Sequence, residues 1–307
     1  IFIKKEVPNS KYRVMLMGHL DTVFPEDSEF QKCIQADDQT INGPGVADLK
    51  GGLLVMHKAL EILENSEFAD QISWTVVFNP DEEIGSPQSQ KHFKELANKH
   101  DLGMIFEPSL SDGSIAWRRK GTGNFQVTAK GKAAHVGREF SQGQSAIFAL
   151  AEFMQEANKL NTKEENIIIN FGKISGGGAL NTVPDTAVLG INIRTERLED
   201  EDIALKHLNS IIEKLNQKEN LKLSLHGKIN RKPKIPDTRM DKLYDALQSC
   251  ALELGQDLKK RNTGGCCDGN NFYEHGLINI DTLGVRGGNI HSSEEFICLD
   301  SLKERSQ

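Results

Sequence analysis

The stretch from residue 14 to residue 52 constrains this chain more than any other. It reads VMLMGHLDTVFP, then a loop, then INGPGVADLKGG. Its opening run, Val14 to Met17, is apolar and cut off by Gly18, which predicts a short buried strand ending in a turn. His19 and Asp21 follow at that strand's carboxyl end. Alternate side chains of an extended backbone share a face, so both can point into one crevice. Carboxyl ends of strands are where open α/β sheets place their ligands. A histidine there can offer a ring nitrogen to a metal, with the Asp21 carboxylate fixing its tautomer. Asp48 comes just after the tight turn Gly43-Pro44-Gly45 and ahead of Lys50-Gly51-Gly52 and an apolar run. HLD alone can be a polar strand end; Asp48 in its glycine setting turns the reading towards a site.

Composition matters here for what it excludes. The 307 residues suffice for one large α/β domain or for two domains around separate cores. The net charge is −7 with both signs interspersed, so neither nucleic acid nor a membrane surface is an expected partner. No apolar stretch approaches the roughly 18 residues of a spanning helix. The chain opens Ile1-Phe2-Ile3-Lys4-Lys5 with no long apolar region behind it, so no signal peptide is expected, and a start on Ile leaves the true N-terminus open. Five cysteines (Cys33, Cys250, Cys266, Cys267 and Cys298) form neither an even set nor a CxxC pair. Reduced thiols in a cytoplasm are therefore expected rather than a disulfide framework. Cys266-Cys267, in a glycine-rich loop, could supply a nucleophile, but the neighbouring motifs favour metal chemistry.

Along the chain, strands are expected at 1–5, 14–17, 72–78 and 103–106, with helices at 53–63 and 93–98 between them. Strand and helix alternate, and strands end in acidic residues or a histidine, which predicts a mostly parallel sheet with its site along one edge. The texture changes near Gly121. A β-α-β-β-α-β string follows, with strands at 124–129, 166–174, 187–194 and 221–226 and helices at 145–160 and 200–215. That string is compatible with a small ferredoxin-like domain inserted in the larger one. The α/β texture returns after Lys232-Pro233, with helices at 244–254 and 271–275 and a strand at 278–283. The expected domains are 1–120 and 228–307 for the larger body and 121–227 for the insertion.

The polar residues at strand ends of the larger body are His19, Asp48, Glu82, Glu83, Glu107 and His291. Three carboxylates and two histidines suit two zinc ions with one carboxylate between them, about 3.5–4 Å apart. Asp48, short and on the tightest turn, is the natural bridge. Glu83 and His291 then serve one ion, and Glu107 and His19 the other. Adjacent Glu82 and Glu83 can face opposite ways, leaving Glu82 as general base. An acidic triplet alone is ordinarily a solvated turn, and a lone His291 ordinarily structural; the set in this order is not a chance arrangement.

HLDTV, GPGVADLKGG, DEEIGS, FEPS, GKAAHVG, LNTVP and a late NIHS occur in that order. Together they resemble the di-zinc exopeptidase and deacylase family of glutamate carboxypeptidase, acetylornithine deacetylase, succinyl-diaminopimelate desuccinylase and aminoacylase. The match spans nearly the whole chain, and Glu107 with the loop from Thr263 to Asp268 looks closest to the glutamate carboxypeptidase branch. The resemblance implies a zinc-exopeptidase-like α/β catalytic domain, with a ferredoxin-like α+β lid that also forms a homodimer. It implies the same ligands, Glu82 as base, Asp21 beside His19, and a cis peptide after Asp48. It further implies an active-site role for His135. Asn181, Arg194, Thr263, Gly264 and Gly265 would contact substrate, with Arg194 clamping an α-carboxylate through its guanidinium fork. Such relatives carry a further N-terminal helical segment and a longer C-terminal helix, and tend to have Gly and Thr where this chain has Cys266-Cys267. The expected activity is zinc-dependent hydrolysis of the amide bond of a peptidyl or N-acyl amino acid, most simply release of a C-terminal glutamate. An N-deacylase of the acetylornithine or succinyl-diaminopimelate type is the alternative, and a non-catalytic binding protein on the same fold a remote one. Co²⁺ or Mn²⁺ could stand in for zinc at carboxylate-rich sites.

Overall fold

The fold was examined in a computed structural model that describes residues 1–161 and 166–307. It is an α/β protein with parallel and antiparallel strand pairings and eight α-helices among the described residues. The chain divides into two compact units, residues 1–119 with 234–307, and residues 120–233.

In the first unit, a five-stranded sheet is ordered Phe2–Lys5, Ile72–Asn79, Tyr12–His19, Leu102–Ile105 and Asn279–Ile280. The edge strand Phe2–Lys5 pairs antiparallel and the others pair parallel. The run Val14 to Met17 is buried on both faces because two cores enclose the sheet. Val14 and Leu16 pack with Val55 and Met56 of helix Gly52–Glu64, whereas Met15 and Met17 pack with Phe93 and Phe272 on the opposite face. A strand covered on both sides reads as a continuous apolar run, which is what this stretch shows. The strand does not stop at Gly18 as expected. It runs on to His19, whose Cα pairs with that of Asn79, so the imidazole is fixed by the sheet itself. The expected strand 278–283 shrinks to Asn279–Ile280, since Thr282 takes φ +63° in the left-handed region and ends it.

Two smaller sheets complete this unit. Ile34–Gln35, Thr40–Asn42, Phe296–Cys298 and Gly287–Gly288 form one, and Ile115–Arg119 pairs parallel with Lys260–Thr263 in the other. Beneath them lies a fully buried charge cluster. The Arg119 guanidinium donates to Asp281 Oδ1 at 3.0 and 2.7 Å, and Lys234 Nζ donates to Asp281 Oδ2 and Asn279 Oδ1, both at 2.8 Å. Burial alone would raise the Asp281 carboxyl, but the two cations overcome it and hold it at about 2.

The second unit is a four-stranded antiparallel sheet ordered Lys222–Arg231, Gly121–Lys130, Thr186–Thr195 and Ile167–Gly176. Residues of one face, such as Val127, Leu189, Ile193 and Leu223, form a core with the helices Ala146–Ala157 and Leu198–Leu215. Alternate residues of these strands face away from that core, the period-2 pattern of an antiparallel sheet with a single covered face.

Candidate metal centre

Asp48 sits at the start of the site because of the backbone around it. Gly45, at φ +66°, turns the chain, and an added Cβ there would meet Thr22 Cγ2 at 2.7 Å. A single wide helical turn, Val46–Gly51, follows, and the peptide between Asp48 and Leu49 is cis. The resemblance had implied that cis bond.

The two carboxylate oxygens of Asp48 face different histidines. Oδ1 lies 2.9 Å from His19 Nε2, and Oδ2 lies 3.2 Å from His291 Nε2. Glu83 Oε2 is 3.4 Å from the same His291 nitrogen. His19, Asp48 and Glu83 present ligand atoms that all fall within 4.8 Å of one another. His291 reaches the group from a residue at φ +64°, in the left-handed region.

The protonation states show what this cluster is built for. Burial opposes a charge on His19, but its bonds to Asp21 and Asp48 and the nearby carboxylates win, pushing it up to about 12. Asp48 is buried too, yet His19 and His291 hold it at about 2. Burial and the Asp48 charge push the Glu83 carboxyl up to about 7. Burial pushes Glu107 well above the usual carboxylate range, and the charges of Glu82 and Asp48 add to this while His19 opposes it. A pocket that concentrates carboxylates and compensates them with protons is one that a multivalent cation satisfies better.

Zinc chemistry provides a geometric check on the fit. Tetrahedral zinc with bonds of about 2.0–2.1 Å keeps two donor atoms about 3.3 Å apart. The contacts at 2.9, 3.2 and 3.4 Å are spaced that way. Glu83 Oε1 is buried with no hydrogen-bond partner, an acceptor left over once Oε2 faces His291. The donor set therefore fits a pair of divalent ions sharing Asp48.

Around these groups lies a layer of fixing contacts. His19 Nδ1 donates to the backbone carbonyl of Asp21 at 2.9 Å, with the Asp21 carboxylate farther off at 3.5 Å. That bond leaves Nε2 as the free ring nitrogen. The tautomer is thus fixed by the carbonyl more than by the expected carboxylate. The Asp21 carboxylate instead accepts the backbone N–H groups of Glu82 at 3.2 Å and Glu83 at 2.9 Å, joining the histidine to the acidic turn. Asp268 grips the same turn at both ends, accepting from Asn79 Nδ2 at 2.5 Å and Ser86 Oγ at 2.6 Å.

Of the residues singled out in the sequence, the structure brings His19, Asp21, Asp48, Glu83 and His291 into direct contact. It buries Glu82 and Glu107 where their charges act on the group. Thr263 closes the strand Lys260–Thr263 and its Oγ1 accepts from Gly265 N at 3.3 Å, while Gly264 lies between them. In the second unit, Val136 N donates to Asn181 O at 3.0 Å and His135 pairs with Thr182, so His135 and Asn181 share one corner. Arg194 lies in the strand Thr186–Thr195, its Nε donating to Asn192 Oδ1 at 2.9 Å. Sequence reasoning missed the structural work of Asp268 and missed Glu295 altogether. Only its place four residues after His291 marks Glu295 in the sequence. Cys267 is fully buried, and burial pushes its thiol well up, which rules it out as a thiolate nucleophile.

The chain is similar to known proteins along most of its length. The chain is 29% identical over 297 residues to carboxypeptidase G2 of Pseudomonas sp. (strain RS-16), covering 95% of this chain and 71% of that protein. It is 28% identical to a probable succinyl-diaminopimelate desuccinylase of Staphylococcus aureus (strain MRSA252), over 96% of this chain and 81% of that one. Among solved structures, a tripeptidase from Staphylococcus aureus subsp. aureus Mu50 superposes with a TM-score of 0.82 at 24% identity, covering 99% of this chain and 81% of the other. The model of peptidase family M20/M25/M40 matches residues 15–307, and the chain belongs to that family of amide-bond hydrolases.

Proposed function

We propose that this chain is a di-zinc exopeptidase that releases a C-terminal amino acid, glutamate first among them, from a peptidyl or N-acyl amino acid. The observation that carries the reading is the carboxylate of Asp48, with one oxygen 2.9 Å from His19 and the other 3.2 Å from His291. A carboxylate so placed would serve two ions, one on each oxygen. His19 and Glu107 would complete one, and Glu83 and His291 the other. The similarity to carboxypeptidase G2 over 95% of this chain supports the glutamate branch. The similarity to the desuccinylase supports the second reading, N-deacylation of an amino-acid intermediate.

The bound ions would polarise the scissile carbonyl and make an attacking water acidic near neutral pH. Glu82, buried beside Glu107 on a turn whose backbone Asp21 holds, takes the water's proton and passes it to the leaving amine. As the resemblance implies, His135 would donate to a developing oxyanion and Arg194 and Asn181 would hold the substrate, Arg194 by its carboxylate; Thr263, Gly264 and Gly265 are further candidate substrate contacts. On the same reading, residues 121–227 would be an inserted lid domain and would pair two copies into a homodimer. No described helix is long and apolar enough to cross a membrane. The proposed cytoplasmic location rests on the five cysteines, an odd set with no CxxC pair.

The substrate is tested by offering zinc-loaded protein a folate-like N-acyl-glutamate, acetylornithine and succinyl-diaminopimelate. Hydrolysis of the first at least tenfold faster than the others is expected. Preference for either of the other two moves the chain to the deacylase reading.

A further inference from the structure

The Glu295 carboxylate accepts hydrogen bonds from three backbone amides of the turn that carries Asp48. The Glu295 side chain is completely buried. Oε1 accepts the N–H groups of Ala47 at 2.9 Å and Asp48 at 3.0 Å, and Oε2 accepts that of Gly45 at 3.2 Å. The residue's own backbone is tied on both sides. Its N–H donates to Ser292 O at 3.1 Å, and its carbonyl accepts from Gly43 N at 3.2 Å and Asn42 Nδ2 at 2.7 Å. A buried carboxylate without such donors would cost several kcal/mol; here a concave row of three amides receives it.

We propose that Glu295 is a positioning residue that sets Asp48 against His291 before any ion arrives. The turn 43–48 bears the shared carboxylate, and the loop 289–295 bears His291. Glu295 bonds to both, and between these loops the side chains of Asp48 and His291 meet at 3.2 Å. By taking the backbone N–H of Asp48 it fixes that residue's main chain and leaves both side-chain oxygens for the ions. Three amides of this short turn donate to the one carboxylate of Glu295, so losing Glu295 frees Asp48 and His291 to move independently. Groups behind metal ligands commonly contribute about 10–100-fold to metal affinity. This inference rests on the metal-centre reading above.

The test is Glu295→Gln, which keeps the shape but must turn an NH₂ group towards amide donors that already use both oxygens. Zn²⁺ and Co²⁺ affinities are measured by chelator competition on folded protein, with the Co²⁺ absorption spectrum reporting geometry and the unfolding temperature of metal-free protein reporting stability. At least one ion is expected to bind 10–100-fold more weakly with an altered Co²⁺ spectrum. Glu295→Asp, which keeps the charge and loses reach, is expected to shift affinity the same way and serves if the amide variant does not fold. Unchanged affinities and spectrum, with only the unfolding temperature lowered, would overturn the proposal and leave the metal centre standing. Wild-type protein that takes up neither ion would overturn the metal centre and this inference with it.

Discussion

Glu83 shows at the scale of one residue how this site spends its charge. In the metal-free protein, burial and the neighbouring Asp48 raise its carboxyl to about 7, so near pH 6 it carries a proton that an ion must displace. His19, held up to about 12 by Asp21 and Asp48 against burial, carries another across the whole neutral range. Below pH 7 the Glu83 proton competes with metal; above it the competition ends, although the His19 proton is still displaced. Zinc affinity should therefore rise with pH by more than tenfold per unit between pH 6 and 7 and less steeply above pH 7. Titration calorimetry in buffers of different ionisation heat should count about two protons or more released per ion pair at pH 6, from Glu83 and His19 and in addition from Glu107 and His291, both of which are also raised. Affinity flat from pH 6 to 8 with no proton release would contradict the assigned ligands. Asp48 itself was legible in the sequence because Gly43-Pro44-Gly45 just ahead of it reads as a tight turn, and Gly45 indeed takes φ +66°. The carboxylate of Asp21 was legible as a neighbour of His19 but not in its role, since which acceptor reaches an imidazole depends on a loop's conformation.

At the scale of elements, the acidic turn after strand Ile72–Asn79 is held from two directions, by Asp21 through backbone amides and by Asp268 through Asn79 and Ser86. Asp268→Ala removes one acceptor from each of those two donors and from Asn271 Nδ2, leaving Asn79 Nδ2 its bond to Ser86 Oγ. A loss of about 3 kcal/mol in urea unfolding of the metal-free protein is expected, and a loss below about 0.5 kcal/mol would show that the turn holds itself. The strands of this sheet were readable because apolar runs such as Val14 to Met17 have little choice but burial on both faces. The small sheet joining Thr40–Asn42 to Phe296–Cys298 was not. Its strands have two or three residues and no periodic pattern, and the pairing that joins its two halves, Phe296 with Asn42, spans some 250 positions in sequence. Glu295 stayed hidden for the same reason, since its three amide partners lie almost the whole chain away.

The whole molecule is a family M20/M25/M40 hydrolase whose second unit departs at residue 119 and returns at residue 234. Those two positions pair with each other, Arg119 N to Lys234 O at 3.1 Å and Lys234 N to Arg119 O at 3.0 Å, and both side chains grip Asp281. Within the first unit, the two chain ends at 119 and 234 are thus joined by a buried ion cluster, a device invisible in the sequence because its members lie 47 to 162 positions from Asp281. The change of texture near Gly121 was readable, because a switch from doubly covered strands to alternating ones changes the residues themselves. What makes the molecule an enzyme is the pair of ions proposed around Asp48 with Glu82 as base. The most direct measurement is metal content by plasma mass spectrometry, taken together with hydrolysis of an N-acyl-glutamate, for the wild type and Glu82→Ala. Two ions per chain in both proteins, with the rate falling at least a thousandfold in the variant, is the expected result. Protein that holds no metal after zinc is supplied, or a Glu82→Ala variant that hydrolyses at the wild-type rate, would contradict it.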